Sequence, residues 1–563
     1  MTIYEEIKTI IGERINKALL KAKEQGLISF DDIPDYIIEE PREKEHGDFA
    51  TNVAMLLAKQ AKKAPRVIAD AIVSCLQTEG TFIQSAEPAG AGFVNFRLNP
   101  AWISQILQVV EREGSQFGRV NVGKGKKVMV EFVSANPTGP MHMGNARGGA
   151  LGDCLASVLE WAGYDVTREF YVNDAGNQIE KFGNSLEARY IQILQGEDAI
   201  EFPEDGYHGD DIRQRAQAYI DQYGDSLLEA TREERKKALV SFSLEKNIHD
   251  LQSDLEKYRI FYDVWFRESV LHENGEARKT VEELMDRGYA YEKEGAIWFR
   301  ATDFGEGKDE VLVRQNGFLT YYAVDIAYHK NKFVDRGFDT VINIWGADHH
   351  GHVARLKGAL AALGIEPERL EIILMQLVRL VSGGEVVRMS KRTGKSITLK
   401  DLLEETSIDA ARFFFNMRQA NSHFDFDLDL AVEQSNENPV FYVQYAHARI
   451  CSILRLLSEQ SVVVKPVAQI NPTLLASEQE IDLMKKLADF PETIRQAAQL
   501  REPSLVTRYA MDLASTFHAF YAACKVNCED EALRDARLVL CNATRIALYN
   551  TLTLLAISAP EQM

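Results

Sequence analysis

Cysteine, net positive charge and long apolar runs are what this 563-residue chain has least of. Its six cysteines (Cys75, Cys154, Cys451, Cys524, Cys528, Cys541) follow no framework spacing, and a chain of this length needs no disulfide staples, so a reducing compartment is expected. No apolar run approaches the roughly 18 residues of a membrane span. The first 26 residues interleave Glu and Lys with Ile and Leu, which excludes the uninterrupted apolar core of a signal peptide. The expectation is a cytoplasmic protein with no membrane association. Positive charge is short, with 64 Lys and Arg against 84 Asp and Glu, so the chain as a whole repels a polyanion. Internal repeats and low-complexity tracts are also missing, which excludes solenoids and disordered linkers of any length.

What is present is the mixture of a folded protein, 45% apolar and 26% charged. Single cores stop growing near roughly 250–300 residues, so the chain divides into several domains. The predicted fold class is multidomain α/β. Residues 1–115 open with an amphipathic helix, and the period-two run at 93–98 adds a strand, giving an N-terminal α+β module. A Gly-rich stretch over 113–127 reads as a linker. Strands at 128–133, 167–172, 340–345 and 371–378 alternate with helices such as 145–163, which predicts a Rossmann-type parallel-sheet domain over 125–385. A helix-rich insertion over about 190–300 interrupts it, and residues 196–211 hold seven acids and no Lys or Arg. Residues 386–430 form a basic loop and connector. Strand patterns then vanish, and 431–563 reads as an all-α helical bundle.

The most informative stretch runs from Glu131 through Asn136, Pro140, His142, Gly144 and Asn145 to Arg147. It follows a strand and opens a helix, and Pro137 and Pro140 keep that helix from starting early. A helix start after a strand is an anion site, His142 adds a chargeable donor, and Gly144 leaves the backbone open to a flat base. A second cluster, Arg388-Met389-Ser390-Lys391-Arg392-Thr393-Gly394-Lys395, sets four cations in a loop after an apolar strand, suited to charge on a departing phosphate chain.

Together these resemble the HIGH and KMSKS signatures of class I aminoacyl-tRNA synthetases. The flanking words narrow the resemblance to bacterial-type arginyl-tRNA synthetase: Glu131-Phe-Val-Ser-Ala-Asn-Pro-Thr-Gly-Pro, Tyr171-Val-Asn-Asp-Ala-Gly-Asn, Ala323-Val-Asp-Ile-Ala-Tyr-His, Trp345-Gly-Ala-Asp-His-His-Gly-His and Leu554-Leu-Ala-Ile-Ser-Ala-Pro-Glu. From His46-Gly-Asp-Phe-Ala-Thr-Asn to the last residues, it spans essentially the whole chain. It implies a ligase that activates L-arginine with ATP, carried with Mg²⁺, to arginyl-adenylate, and then esterifies the 3′-terminal ribose of tRNA(Arg). Activation is expected to require the tRNA, and the enzyme is expected to be a monomer.

The resemblance also implies roles for residues. His142, Asn145 and Lys391 are the expected catalytic groups. Pro140, His142, Gly144, Asn145, Gly346, His352, Met389, Ser390 and Lys391 are expected around ATP. Glu131 and Asn136 would hold the α-amino and carboxylate ends of arginine, Tyr321 and Asp325 its guanidinium, and Asp348 lies on the same side. A guanidinium has five donors in a rigid fork and needs an in-plane carboxylate, and Tyr321 and Asp325 fall four apart in a helical run. Two positions depart from the pattern. Asn145 stands where the family usually has a second His, which replaces a charged donor by a neutral one at a cost of about 1–2 kcal/mol in transition-state contact. Arg388 and Arg392 replace the first lysine and the last serine of KMSKS, leaving Lys391 with most of the pyrophosphate contact and Lys395 as helper.

No metal site is expected. His349, His350 and His352 are close in sequence, but nothing elsewhere has zinc-ligand spacing. Cysteinyl-tRNA synthetase, the nearest rival, is recognised by zinc-ligating cysteines, whereas Cys154 is the only cysteine in the catalytic region; a non-catalytic tRNA-binding paralogue is the rival of another class. The tRNA partner requires the cations to be segregated. The bundle offers Arg449, Arg455, Lys485, Lys486, Arg495, Arg501, Arg508, Lys525, Arg534, Arg537 and Arg545, together with Tyr442, Tyr445, Phe517, Phe520 and Tyr521, each either a base-stacking ring or core. Residues 431–563 carry 12 Lys and Arg against 15 Asp and Glu, a balance of −3; residues 1–120 also sum to −3, and the remaining −14 lies between 121 and 430.

Overall fold

A computed structural model describes residues 2–41, 43–387 and 397–563. Met389, Ser390 and Lys391 therefore lie outside the described residues. The chain opens with the helix Ile3–Glu24, started by a capping box in which Thr2 accepts from the Glu5 N–H. Its Ile7, Ile11, Ile15 and Leu19, at three- and four-residue spacing, are buried with Phe49 and Phe96 of a four-stranded antiparallel sheet.

The catalytic region is built on five parallel strands: β1 (Lys127–Glu131), β2 (Asp165–Val172), β3 (Val264–Arg267), β4 (Thr340–Gly346) and β5 (Leu370–Met375). Their spatial order is 3-2-1-4-5. The chain works outward from β1 on one side and then returns to its other side, so the crevice beyond the carboxyl ends of β1 and β4 is the topological switch point where ligands of such sheets bind. Four helices matter to that crevice: α1 (Met143–Trp161), α2 (Asn177–Gln195), α3 (Tyr321–Lys330) and α4 (His350–Ala362). Gly149 and Gly152 let α1 approach the sheet, because a Cβ on Gly152 would stand 2.2 Å from the Phe132 ring and one on Gly149 2.8 Å from Ile260.

The structure corrects three expectations. The stretch expected as a helical insertion supplies β3 to the main sheet and, with Glu310–Val313, a small antiparallel sheet of Ala290–Lys293 and Ala296–Phe299; the end of α2 and the helices Asp210–Tyr223, Arg232–Lys257, Ser269–Glu273 and Glu276–Asp286 match the helical reading. The connector begins earlier than residue 386, since Val378–Ser382 already belongs to a second small sheet with Glu385–Val387 and Phe424–Asp427. The Gly-rich stretch is a packed strap. Phe117 is buried, Val120, Gly123 and Gly125 donate to the carbonyls of Trp161, Ala162 and Gly163, and Gly118, at φ +103°, would place a Cβ 2.3 Å from the Phe490 ring.

Five long helices, Pro439–Glu459, Glu478–Ala488, Phe490–Leu500, Ser504–Ala523 and Glu531–Leu554, make the bundle. Beyond the last, the chain turns back to the catalytic region. Leu555 and Ala556 give their carbonyls to Arg412 and Arg259, each at 2.8 Å, Gln444 donates to the Ser558 carbonyl, and an imidazole nitrogen of His447 lies 2.9 Å from that of Pro560. On the other side Arg147 of α1, fully buried, donates to the carbonyls of Gln376, Gln419 and Ser422, which fixes the connector to the helix.

Candidate active site

β1 ends in a buried carboxylate. Glu131 takes Ser134 Oγ at 3.0 Å on one oxygen and Lys332 Nζ at 2.5 Å on the other. The chain then turns through Val133 (φ +67°) and Ser134 (φ +42°), a pair of non-glycine residues in the left-handed region that costs about 1–3 kcal/mol each. Surrounding bonds hold the turn: Tyr262 donates to the Phe132 carbonyl, and the Tyr171 N–H to Ser134 Oγ. Beyond it Asn136, Pro140, His142 and Gly144 are exposed.

His142 is the N-cap of α1 in extended conformation. Asn145 accepts from the His142 backbone N–H through Oδ1 at 3.2 Å. The asparagine is therefore a capping residue as well as a candidate phosphate ligand, with only its Nδ2 left for the latter. The helix start is also less open than expected. Met143 N–H donates to Ile397 O and Asn145 N–H to His142 O, so among the described residues Gly144 carries the first-turn N–H that remains for an anion. A Cβ on Gly144 would meet nothing within 4 Å, which is the space a ligand needs. Leu399 N–H returns to Met141 O, so the chain leaving the basic loop is paired directly to the His142 segment.

Across the crevice α3 presents Tyr321, 52% exposed, and Asp325, whose side chain is 25% exposed. Tyr321 borders a cavity of about 1060 Å³ with Gly176, Glu268, His272, Arg278, Arg314 and Phe318. Asp325 Oδ2 lies 2.6 Å from His352 Nε2, and Oδ1 lies 3.1 Å from His329 Nδ1. Burial alone raises this carboxyl, but the two imidazoles outweigh it and hold the group well below the usual carboxylate range. A cation entering here meets a formed negative charge. Beside it Tyr171 donates to Glu268 at 2.7 Å, with its hydroxyl pushed up by burial and by that carboxylate.

The structure links Glu131 to Asp325 through Lys332, Asn343 and His329 and sets His352 against Asp325; His142, Gly144 and Asn145 open α1, Tyr321 opens α3 and Gly346 ends β4, and two of the expected positions have partners the sequence did not suggest. His352, expected on the ATP side, occupies the first turn of α4 and gives Nε2 to Asp325. Asp348 is 82% exposed, and its ion partner is His349 at 3.6 Å, so it is not drawn into the Asp325 cluster. Among the described residues no three His, Cys, Asp or Glu side chains are grouped as metal ligands. Sequence reasoning assigns no role to Ser134, His329, Lys332 or Asn343: the first two stand inside family words without a part of their own, and the other two read as ordinary polar residues.

The bundle cations also divide. Lys485, Arg495 and Arg501 pair with Asp48 (2.7 Å), Glu5 (2.6 Å) and Glu371 (2.8 Å), tying the bundle to the other domains, and Arg537 pairs with Glu480. Among the described residues Arg449, Arg455, Arg508, Lys525 and Arg545 have no carboxylate within 4 Å. Arg449 lies over the rings of Tyr445 and Tyr521, which are half-buried, whereas Phe517 and Phe520 are core.

Comparison with known proteins agrees along the whole chain. Residues 5–98 match the family described as arginyl tRNA synthetase N terminal domain, 105–434 the class I (R) tRNA synthetase catalytic domain, and 443–563 the DALR anticodon binding domain. The arginine–tRNA ligases of Caldanaerobacter subterraneus subsp. tengcongensis and Acetivibrio thermocellus are 58% and 56% identical over 561 residues, covering 100% of each chain. The Thermus thermophilus arginyl-tRNA synthetase superposes with a TM-score of 0.72 at 24% identity, over 99% of this chain and 100% of that one. With matches to all three domains in order and relatives aligned from end to end, this chain belongs to the arginyl-tRNA synthetase family.

Proposed function

We propose that the crevice between β1 and β4 holds arginine with its α-ammonium at Glu131, its carboxylate towards Asn136 and its guanidinium between Tyr321 and Asp325, while ATP lies against the start of α1. The enzyme is a class I ligase that charges tRNA with arginine. The observation that carries the site reading is Asp325, a carboxylate kept ionised by two imidazoles at the switch point of the sheet, as an in-plane guanidinium requires.

In the first step an oxygen of the arginine carboxylate attacks the α-phosphorus of ATP in line, the bond to the β-phosphate breaks, and pyrophosphate leaves with its magnesium. The chain supplies position and charge rather than covalent chemistry. Glu131 and Asp325 fix the two ends of the amino acid, and His142 with the Gly144 N–H face the phosphates. Lys391, which lies outside the described residues, stabilises the leaving group in this reading. In the second step the 2′-hydroxyl of the terminal adenosine attacks the arginyl carbonyl and AMP departs. The N-terminal module grips the tRNA elbow and the bundle its anticodon loop, with Arg449, Tyr445 and Tyr521 on the bundle's contact face. The enzyme works as a monomer in the cytoplasm.

The test is arginine-dependent exchange of labelled pyrophosphate into ATP, with and without tRNA. Exchange is expected only with tRNA. Asp325→Ala is expected to abolish it while leaving tRNA binding nearly intact, and wild-type-like charging by that variant would refute the site.

A further inference from the structure

Three polar side chains stand in one row across the carboxyl ends of the central strands. Asn343 of β4 is in register with Glu131 of β1, and Glu131 with Glu169 of β2; all three are buried. Two carboxylates side by side on adjacent strands repel unless each is matched. The turn after α3 supplies the matches. It is a π-helical turn, Asn331–Asp335, a rare form that is frequent at functional sites, and Lys332 within it is buried. Lys332 is fully buried, with Nζ 2.5 Å from Glu131 Oε2, 3.3 Å from Asn343 Oδ1 and 4.0 Å from the centre of the Tyr328 ring. Glu169 has its own partners in Arg336 and the Tyr328 hydroxyl. Lys332 is thus committed to Glu131 and Asn343.

The lysine acts further than its contacts. An ammonium only donates, so Asn343 turns its oxygen towards it and its amide nitrogen towards His329 Nε2, 2.7 Å away. That nitrogen must then accept, and the network assigns the imidazole proton to Nδ1. Nδ1 lies 2.9 Å from the Asp325 carbonyl and 3.1 Å from Asp325 Oδ1. The hydrogen bond that orients the guanidinium-binding carboxylate is set, through two side chains, by the charge that holds the α-ammonium-binding carboxylate.

We propose that Lys332 is a positioning residue for arginine recognition: one buried ammonium holds Glu131 directly and orients Asp325 through Asn343 and His329, so both ends of the amino-acid pocket are fixed together. This rests on the assignment of Glu131 and Asp325 to arginine. Stability alone does not account for the lysine, because well-packed apolar residues commonly replace a buried ion pair without loss.

The experiment measures KM for arginine, ATP and tRNA in pyrophosphate exchange, and inhibition by argininic acid, which carries a hydroxyl in place of the α-amino group. Lys332→Met is expected to raise the arginine KM by about tenfold or more with the other two within about twofold, and to weaken argininic acid less than arginine. Asn343→Leu leaves the Lys332–Glu131 pair in place, so it is expected to weaken arginine and argininic acid equally. An unchanged arginine KM in both variants overturns the proposal. So does a joint rise of all three KM values, which marks a damaged fold, or an unaltered ratio of arginine to argininic acid in Lys332→Met. If Lys332→Met does not fold, Asn343→Leu decides, and its failure to weaken both ligands overturns the relay. Glu131→Gln separates the two levels: a normal arginine KM there refutes the site assignment, whereas a raised KM beside a normal one in Lys332→Met refutes only the role of the lysine.

Discussion

Asn145 has one observed job at the start of α1 and one proposed job. Its Oδ1 caps the helix by accepting from His142 N–H, and its Nδ2 is left for the phosphates in the proposed site. The two are separable by charge. Asn145→Asp keeps the acceptor and so is expected to keep the melting temperature, but it sets a carboxylate near the triphosphate. Repulsion of about 1–4 kcal/mol predicts an ATP KM raised by tenfold or more, and an unchanged KM would remove Asn145 from the phosphate site. Asp409 gives a residue-level prediction for pH. Burial raises its carboxyl, but hydrogen bonds from Ser558 and the Arg259 guanidinium at 2.6 Å outweigh burial and lower it. A carboxyl depressed in the folded state stabilises above its unfolded value, near pH 4, and that contribution is lost only as pH falls further. Asp409→Asn is therefore expected to cost about 1–3 kcal/mol, equal at pH 8 and pH 5 and shrinking below about pH 4, as read by denaturant unfolding. A cost that grew on acidification would contradict this account. At this scale the sequence was legible where a word was distinctive, as at Glu131 and Asp325. Lys332 was not, because a lysine in a helical run reads as a solvated face until burial and the π-turn show otherwise.

Elements were legible in proportion to their apolar content. β1 and β4 stand out in sequence within a residue or two, whereas β5 reads three residues too long at its end, because the apolar run continues into Val378–Ser382 of the next sheet. β3 is four residues long at the edge of the sheet, Val264–Arg267 with every residue half-buried, and leaves no period to read. The strap misled for a different reason. Glycine signals a linker when nothing packs on it, but Gly118 is required because Phe490 occupies the place of a side chain, and Phe490 also meets Phe117, Trp161 and Tyr509. Gly118→Ala adds overpacking of about 1–3 kcal/mol to a φ that alanine resists. Phe490→Ala should cost about 3–5 kcal/mol by itself. Since the small residue at 490 makes room for the one at 118, the double variant is expected to lose less than the two single losses together, by calorimetry or denaturant unfolding. Strict additivity would mean that the two do not touch in solution.

For the whole molecule, the net charge misdirects and its placement informs. The two ends are close to balance, yet several of their cations are spent inside the protein. Lys485 and Arg501 looked like tRNA ligands in sequence because their acids, Asp48 and Glu371, lie 437 and 130 residues away. Arg501→Ala is accordingly expected to lower the melting temperature and leave tRNA affinity unchanged. Arg449→Ala is expected to weaken tRNA binding and flatten its salt dependence by about one ion, with melting unaffected. Filter binding across a salt series, beside thermal melts, reads both, and an exchange of the two phenotypes would overturn this division. The returning tail has a consequence in time. Arg259, Asp409 and Arg412 are synthesised long before Leu555, Ala556 and Ser558, their partners across the seam between catalytic region and bundle. During translation the earlier domains fold as they emerge, but these bonds across the seam wait until residues 555–558 have left the ribosome. A catalytic region that is already folded therefore holds Arg259, Asp409 and Arg412 ready for a segment made 143 residues or more after them, and the seam closes later than the domains it joins.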